Sequence, residues 1–223
     1  MTVKLFVQAL VKFLLGVILT GLMIFLPAGT VHYPNGRLFM ELLFVPMFVA
    51  GIMMMIKKPE LLAKRLNAKE KESEQKTVLA VSGLMFTAGF IIAGLNFRFG
   101  WFAVPRWIVV TAASIFLIAY LLYAEVLREN AYLSRVIEVQ EDQKVVDTGL
   151  YGIVRHPMYA VTLLLFLSMP LILGSPISFL IFLIYPFLIV KRIKNEENVL
   201  EESLEGYREY KEKVKYRIIP FIW

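Results

Sequence analysis

Four apolar runs, near 5–27, 38–56, 78–96 and 107–127, constrain this chain more than any other feature. A helix rises about 1.5 Å per residue, so each run is long enough to cross a hydrocarbon core of roughly 30 Å. A fifth apolar region, 158–190, is interrupted by Gly174-Ser175-Pro176 and reads as a helical hairpin. Its arms, 158–173 and 177–190, would reach only ~21 to 24 Å each. They therefore tilt, thin the bilayer locally or pack inside the bundle. The expected fold is all-α: a polytopic bundle of five to six membrane helices, including this hairpin, with a cytoplasmic amphipathic helix at the C-terminus. Composition agrees, because 58% hydrophobic residues and a mean hydropathy of +0.67 exceed what one soluble core of 223 residues buries. The first run is longer than a signal-peptide core and lacks a small-x-small cleavage site, so it reads as a membrane helix.

Orientation follows from the basic residues, which are retained on the cytoplasmic side. Segments 57–77, 125–157 and 191–223 hold 7, 4 and 8 Lys and Arg residues, whereas 28–37 and 97–106 hold only Arg37, Arg98 and Arg106. Six crossings with both termini in the cytoplasm fit this count, in the inner membrane if the chain is prokaryotic. The net charge of +6 lies in juxtamembrane segments, where anionic headgroups account for it. No basic run carries the interleaved aromatics of a nucleic-acid surface, and no Gly-x-Gly-x-x-Gly follows a strand pattern. Zero cysteines and two histidines 124 residues apart offer no metal cluster. The expected partners are thus the bilayer and a lipophilic substrate, with no nucleic acid and no metal.

Polarity of interest lies in 128–157 and 191–217. The 57–77 loop mixes charge signs and reads as a solvated connector. His32 and Arg37 flank a Pro-Asn-Gly turn and read as turn chemistry, and Met53, Met54 and Met55 as packing or lipid-facing residues. The stretch TGLYGIVRHPMYA, Thr148 to Ala160, is different: Pro157 suits the first turn of a helix, with Arg155 and His156 just outside it. A hairpin beginning there returns Arg192, Glu196 and Glu197 to the same side of the membrane, so one cytoplasmic-side pocket can hold all five. Arg192 and Glu196, four apart, share a helix face. A plain ion pair with an interfacial anchor explains them as well at this stage. Beyond them, Val199, Leu200, Leu204, Tyr207, Tyr210 and Val214 give the stretch from Asn195 to the C-terminus an amphipathic helical pattern. That helix either anchors at the interface or roofs the pocket.

The pattern VQEDQKVVDTGLYGIVRHPMYA, followed by RIKNEENVLEESLEGYREYKEKVKYRIIPFIW, resembles the isoprenylcysteine carboxyl methyltransferase family, particularly its prokaryotic members. The likeness covers about 128–223, and divides the chain into N-terminal membrane helices, 1–127, and a methyltransferase-type cofactor-binding region, 128–223. Val161 stands where the family usually has glycine and narrows any close approach there; Leu150 stands where many relatives have proline. The resemblance implies a membrane-embedded methyltransferase using S-adenosyl-L-methionine. By motif position it implies cofactor contacts at Gln140, Gln143, Lys144, Val145, Val146, Tyr151, His156, Pro157, Met158, Tyr159 and Glu196. Arg192 and Arg155 are the catalytic candidates, Arg192 meeting the carboxylate of an isoprenoid or other lipophilic acceptor. An amine acceptor, as in phospholipid N-methyltransferases, calls instead for a carboxylate such as Glu197. Two other classes remain open: a nicotinamide-dependent sterol or enone reductase, which shares the hairpin and tyrosine-rich tail, and a non-enzymatic membrane protein.

Orientation generates the first test. Lys69→Cys, Gln143→Cys and Lys211→Cys, introduced singly into this cysteine-free chain, are expected to resist an impermeant thiol reagent in intact cells and to react once the membrane is opened. Labelling of any one from outside contradicts the six-crossing arrangement.

Overall fold

The computed structural model describes residues 3–66, 73–130, 132–133, 139 and 142–223. Its elements in these residues are α1 (Val3–Ala28), α2 (Pro34–Lys57), α3 (Pro59–Leu66), α4 (Ser73–Phe99), α5 (Arg106–Glu129), a 3₁₀ turn (Gly149–Gly152), α6 (Pro157–Ile172), α7 (Pro176–Phe182), α8 (Tyr185–Ser203) and α9 (Tyr207–Lys213). No strand occurs among them. Helices α1, α2, α4 and α5, and the run from Pro176 to Ser203, are each long and apolar enough to cross a membrane. The protein is an integral, multi-pass helical bundle.

The hairpin forms where the sequence places it, and its short first arm is packed inside the bundle. Leu173 to Ser175 make the turn, with Gly174 at φ +72° in the left-handed region where a side chain is strained. Ser175 then caps α7, its hydroxyl accepting from the Ser178 N–H, and Pro176 takes the first helical position. The α6 arm buries Tyr159, Val161, Leu165, Met169 and Ile172, chiefly against α5. Two long-range bonds hold the tip: the Tyr33 hydroxyl donates to the Leu173 carbonyl, and the Asn96 amide donates to the Gly174 carbonyl at 3.3 Å. Between the ends, Phe86 meets Phe182 edge-on at 5.3 Å, and Phe39 and Phe90 lie 5.5 Å apart, which joins α2, α4 and α7 through ring contacts.

Four features differ from the sequence reading. The returning arm is not one helix over 177–190. It breaks at Leu183 and Ile184 because Pro186 has no N–H and its ring clashes with the carbonyl four residues earlier. The arm then continues to Ser203, carrying Arg192 and Glu196 on one helix as expected. The C-terminal stretch is likewise not one amphipathic helix: Gly206, at φ +81°, separates α8 from α9, and Val214 onward is irregular chain. The 57–77 segment is more than a solvated connector, since α3 buries Leu61 and Leu62 to 5% exposure. Val161 is buried in the helix-packing core and does not line the cleft described below, so it takes nothing from a ligand's space. The turn chemistry of His32 and Arg37 is as expected: the Arg37 guanidinium donates to the Val31 carbonyl at 2.7 Å and lies 3.0 Å from His32 Nδ1.

Close approach of α1 to α4 depends on Gly94. A Cβ built there would sit 2.4 Å from the Ile24 carbonyl oxygen and 3.1 Å from the Ala28 nitrogen, both backbone atoms that cannot move aside singly. Small residues let membrane helices pack this tightly. Gly94→Ala should therefore lower thermal stability, by about 1 to 3 kcal/mol for an overpacked site. Gly83→Ala on the same helix, with nothing within 4 Å of its Cβ, should be neutral or mildly stabilising. Thermal unfolding of the two variants in one detergent makes the comparison.

Candidate functional site

A cleft opens where α6 begins. Three stretches far apart in sequence form its walls. The loop before α6 contributes Gln143, Lys144, Val145, Val146 and Tyr151; the start of α6 contributes His156, Met158 and Tyr159, beside Arg155; α8 contributes Arg192 and Glu196. All of these were expected from the sequence, and the fold brings them together. Gln140 lies outside the described residues. Pro157 does not line the cleft but occupies the first position of α6, where its fixed φ suits the helix start.

Helix periodicity sorts α8 into two working faces. Arg192, Glu196 and Leu200 follow at steps of four and look into the cleft, descending roughly 12 Å along the helix. Ile189, Ile193 and Glu197 follow at the same step on the buried face. Adjacent acids are turned about 100° apart, so Glu196 and Glu197 have separate surroundings. Arg192 Nε donates to the Tyr159 hydroxyl at 2.9 Å, and that hydroxyl donates to Glu196 Oε2. The expected Arg192–Glu196 pairing is thus bridged by a tyrosine from α6. Glu196 Oε1 lies 3.9 Å from His156 Nδ1.

Glu197 sits behind this wall, 3% exposed, and both of its oxygens are engaged. Oε1 accepts from Arg155 Nε at 2.8 Å and lies 3.2 Å from His156 Nε2. Oε2 accepts from Arg217 Nε at 2.8 Å. Arg155 also donates through Nη1 to the carbonyls of Val214 and Lys215, at 2.7 and 2.9 Å. Backbone bonds continue the seam: the Arg155 and His156 N–H groups donate to the Tyr216 and Arg217 carbonyls, each at 2.8 Å. The Arg-His pair is thereby stitched to the C-terminal tail.

That tail is the part sequence reasoning left unassigned. Arg217 closes the cluster around Glu197, and Leu200, Leu204, Tyr207 and Tyr210 roof the cleft, as one of the two readings of the amphipathic pattern had it. Tyr210 donates to the Tyr151 carbonyl at 2.7 Å, tying roof to loop, and the Asp147–Lys213 pair at 2.7 Å does the same at the rim. The Lys213 ammonium lowers the Asp147 carboxyl below its usual range. Asn130, Tyr132 and Leu133 also line the cleft, and carry no motif that marks them.

Residues 107–202, from the start of α5 almost to the end of α8, match the family model "Isoprenylcysteine carboxyl methyltransferase (ICMT) family". Over this segment the chain is similar to the isoprenylcysteine carboxyl methyltransferase family. No curated protein matches it. The match supports a membrane methyltransferase of the isoprenylcysteine type. The matched segment holds Arg155, His156, Tyr159, Arg192, Glu196 and Glu197, whereas Tyr207, Tyr210 and Arg217 lie beyond it.

The cluster around Glu197 generates a stability test. Glu197→Gln removes the charge that faces Arg155 and Arg217, and breaking one partner of a buried pair costs about 3 to 5 kcal/mol. The variant should unfold at lower temperature, with the tail beyond Val214 cut first by a dilute protease. Glu201→Gln, which loses only the pair with the partly exposed Lys211, should change stability by less than about 1 kcal/mol.

Proposed function

We propose that the chain transfers a methyl group from S-adenosyl-L-methionine to the carboxylate of a lipophilic acceptor that reaches the cleft from the bilayer. The observation that carries this reading is the Arg192–Tyr159–Glu196 chain, which sets a cation and a carboxylate side by side, fixed through one phenol, in a cleft at the end of a membrane bundle. When bound, S-adenosyl-L-methionine supplies a sulfonium methyl that a carboxylate oxygen can accept, leaving a neutral thioether.

The donor set fits such a ligand. Its polar part has His156, Tyr159 and Glu196, while Val145, Leu200, Leu204 and Tyr207 give an apolar, partly aromatic wall suited to a flat base. We assign the holding of the cofactor to these residues together with Gln143, Lys144, Val146, Tyr151 and Met158. Pro157 sets the start of α6 that positions His156 and Tyr159.

Arg192 is assigned to the acceptor. A carboxylate is ionised at neutral pH, with an ordinary pKa near ~4, so its methylation needs orientation and exclusion of water rather than a strong base. Anchoring of Arg192 Nε on Tyr159 fixes the plane of the guanidinium, and a planar fork is what holds a carboxylate bidentately. An amine acceptor would want an available acid, but Glu197 is committed to Arg155, His156 and Arg217. We assign Arg155 and Glu197 to holding the frame. The cytoplasmic orientation of this end belongs to the same proposal and rests on the basic loops.

Arg192→Lys keeps the charge and loses the fork. Its affinity for S-adenosylhomocysteine should stay near wild type while methyl transfer falls, and Arg192→Ala should fall further. A tritiated-methyl assay on membranes, with isoprenoid acids and lipid amines as acceptors, reads the difference. Glu196→Gln should weaken S-adenosylhomocysteine binding by about 1 to 3 kcal/mol. Methylation of amines alone, undiminished in Arg192→Ala, contradicts the carboxylate assignment, and binding of a nicotinamide dinucleotide in place of S-adenosylhomocysteine contradicts the cofactor.

A further inference from the structure

Tyr207 opens α9 only 4% exposed, yet its hydroxyl has no hydrogen-bonding partner among the described residues. Buried hydroxyls are nearly always paired, because one left without a bond carries its desolvation cost uncompensated. Tyr210, three residues along the same short helix, shows the ordinary solution in its bond to the Tyr151 carbonyl. Tyr207 lines the cleft instead.

The surroundings define what the hydroxyl can meet. Burial foremost, and then the negative charges of Glu197 and Glu196, raise its pKa far above the ordinary phenol range, so at neutral pH it offers a proton. Glu197 has both oxygens engaged by Arg155, His156 and Arg217 and faces away from the cleft. Glu196 does face the cleft: Oε2 accepts from Tyr159, while Oε1 stands 3.9 Å from His156 Nδ1, beyond hydrogen-bond distance. The cleft thus contains a buried donor on α9 and a carboxylate oxygen on α8. A ligand ammonium would suit Glu196 but has nothing to accept from Tyr207. A ligand carboxylate would suit Tyr207 but is repelled by Glu196. A hydroxyl group satisfies both, accepting from one and donating to the other.

Resting on the cofactor reading above, we infer that Tyr207 is a ligand-binding residue, its hydroxyl donating to a ribose hydroxyl of the bound nucleoside that in turn donates to Glu196. Leu200 and Leu204, from α8 and the turn that follows it, line the same cleft and make part of its wall apolar. The roof helix α9 then does more than cover the cleft: it selects for a sugar hydroxyl.

Calorimetric titration of the purified full-length protein with S-adenosylhomocysteine tests this, using wild type and Tyr207→Phe, repeated with the 2′-deoxy and 3′-deoxy ribose analogues. Tyr207→Phe should weaken S-adenosylhomocysteine roughly 5- to 30-fold. One deoxy analogue should bind wild type correspondingly less well, and bind Tyr207→Phe no worse than wild type. Without ligand, Tyr207→Phe should melt at the same temperature as wild type or higher, since it removes an unpaired buried hydroxyl; a lower melting temperature reveals a structural partner and overturns the inference. Equal affinity of wild type and Tyr207→Phe for S-adenosylhomocysteine overturns it, as does additive loss with both analogues. Failure of wild type itself to bind S-adenosylhomocysteine is a separate result, and removes the cofactor reading together with what rests on it.

Discussion

The carboxylate of Glu197 is the point on which this end of the protein depends. It is buried among Arg155, His156 and Arg217, which arrive from the loop before α6 and from the tail after α9. Without it, two guanidinium groups would face each other in a poorly solvated space. With it, three separated pieces of chain have one arrangement in common. Buried ion pairs are weak contributors to net stability compared with apolar packing, but they are demanding about geometry. Here that demand fixes His156 at the start of α6 and brings the tail across the cleft.

From that fixed corner the rest of the site follows by helix geometry. Pro157 starts α6 directly after His156, so Tyr159 falls within its first turn and points its hydroxyl between Arg192 and Glu196. The hairpin returns α8 alongside, and its four-residue repeat presents Arg192, Glu196 and Leu200 in sequence from polar to apolar. At the far end, Tyr33 and Asn96 hold the hairpin tip, so α6 is tethered at both of its ends. Tight seats such as Gly94 on α4 and Gly89, whose Cβ would meet the Phe182 ring at 2.3 Å, keep the surrounding helices close. Packing within the helix bundle therefore sets the position of the groups that line the cleft.

Much of this was legible in the sequence because it depends on local rules. Length and apolarity gave the membrane helices, Gly174-Ser175-Pro176 gave the hairpin turn, and the proximity of Arg155, His156, Arg192 and Glu196 followed from folding the hairpin back. Less legible were features that depend on which residue meets which across space. The helix break before Pro186 was available from proline chemistry but was masked by an apolar run with no other punctuation. The end of the C-terminal helix at Gly206 was hidden by an amphipathic pattern that continues through it, since α8 and α9 both turn apolar residues toward the same roof. Arg217 looked like one more basic residue in a juxtamembrane tail. Only its position against Glu197 distinguishes it from Lys213 or Lys215.

Neighbouring acids in one helix illustrate why residue type alone does not assign a role. Glu196 and Glu197 share a backbone environment and a sequence motif, and either one reads equally well as a ligand contact. One helical step separates them by about 100°, and that rotation decides their chemistry. Glu197 turns toward two guanidinium groups and an imidazole and becomes part of the framework. Glu196 turns toward a phenol and a cleft, where its second oxygen is beyond bonding distance of the nearest histidine nitrogen. A carboxylate with every lone pair claimed gives rigidity but has little capacity for a ligand, whereas one with capacity left over gives recognition but less stability. The pair divides these two demands between adjacent positions: the acid that faces the cleft stands on the backbone held in place by the acid that is fully engaged behind it.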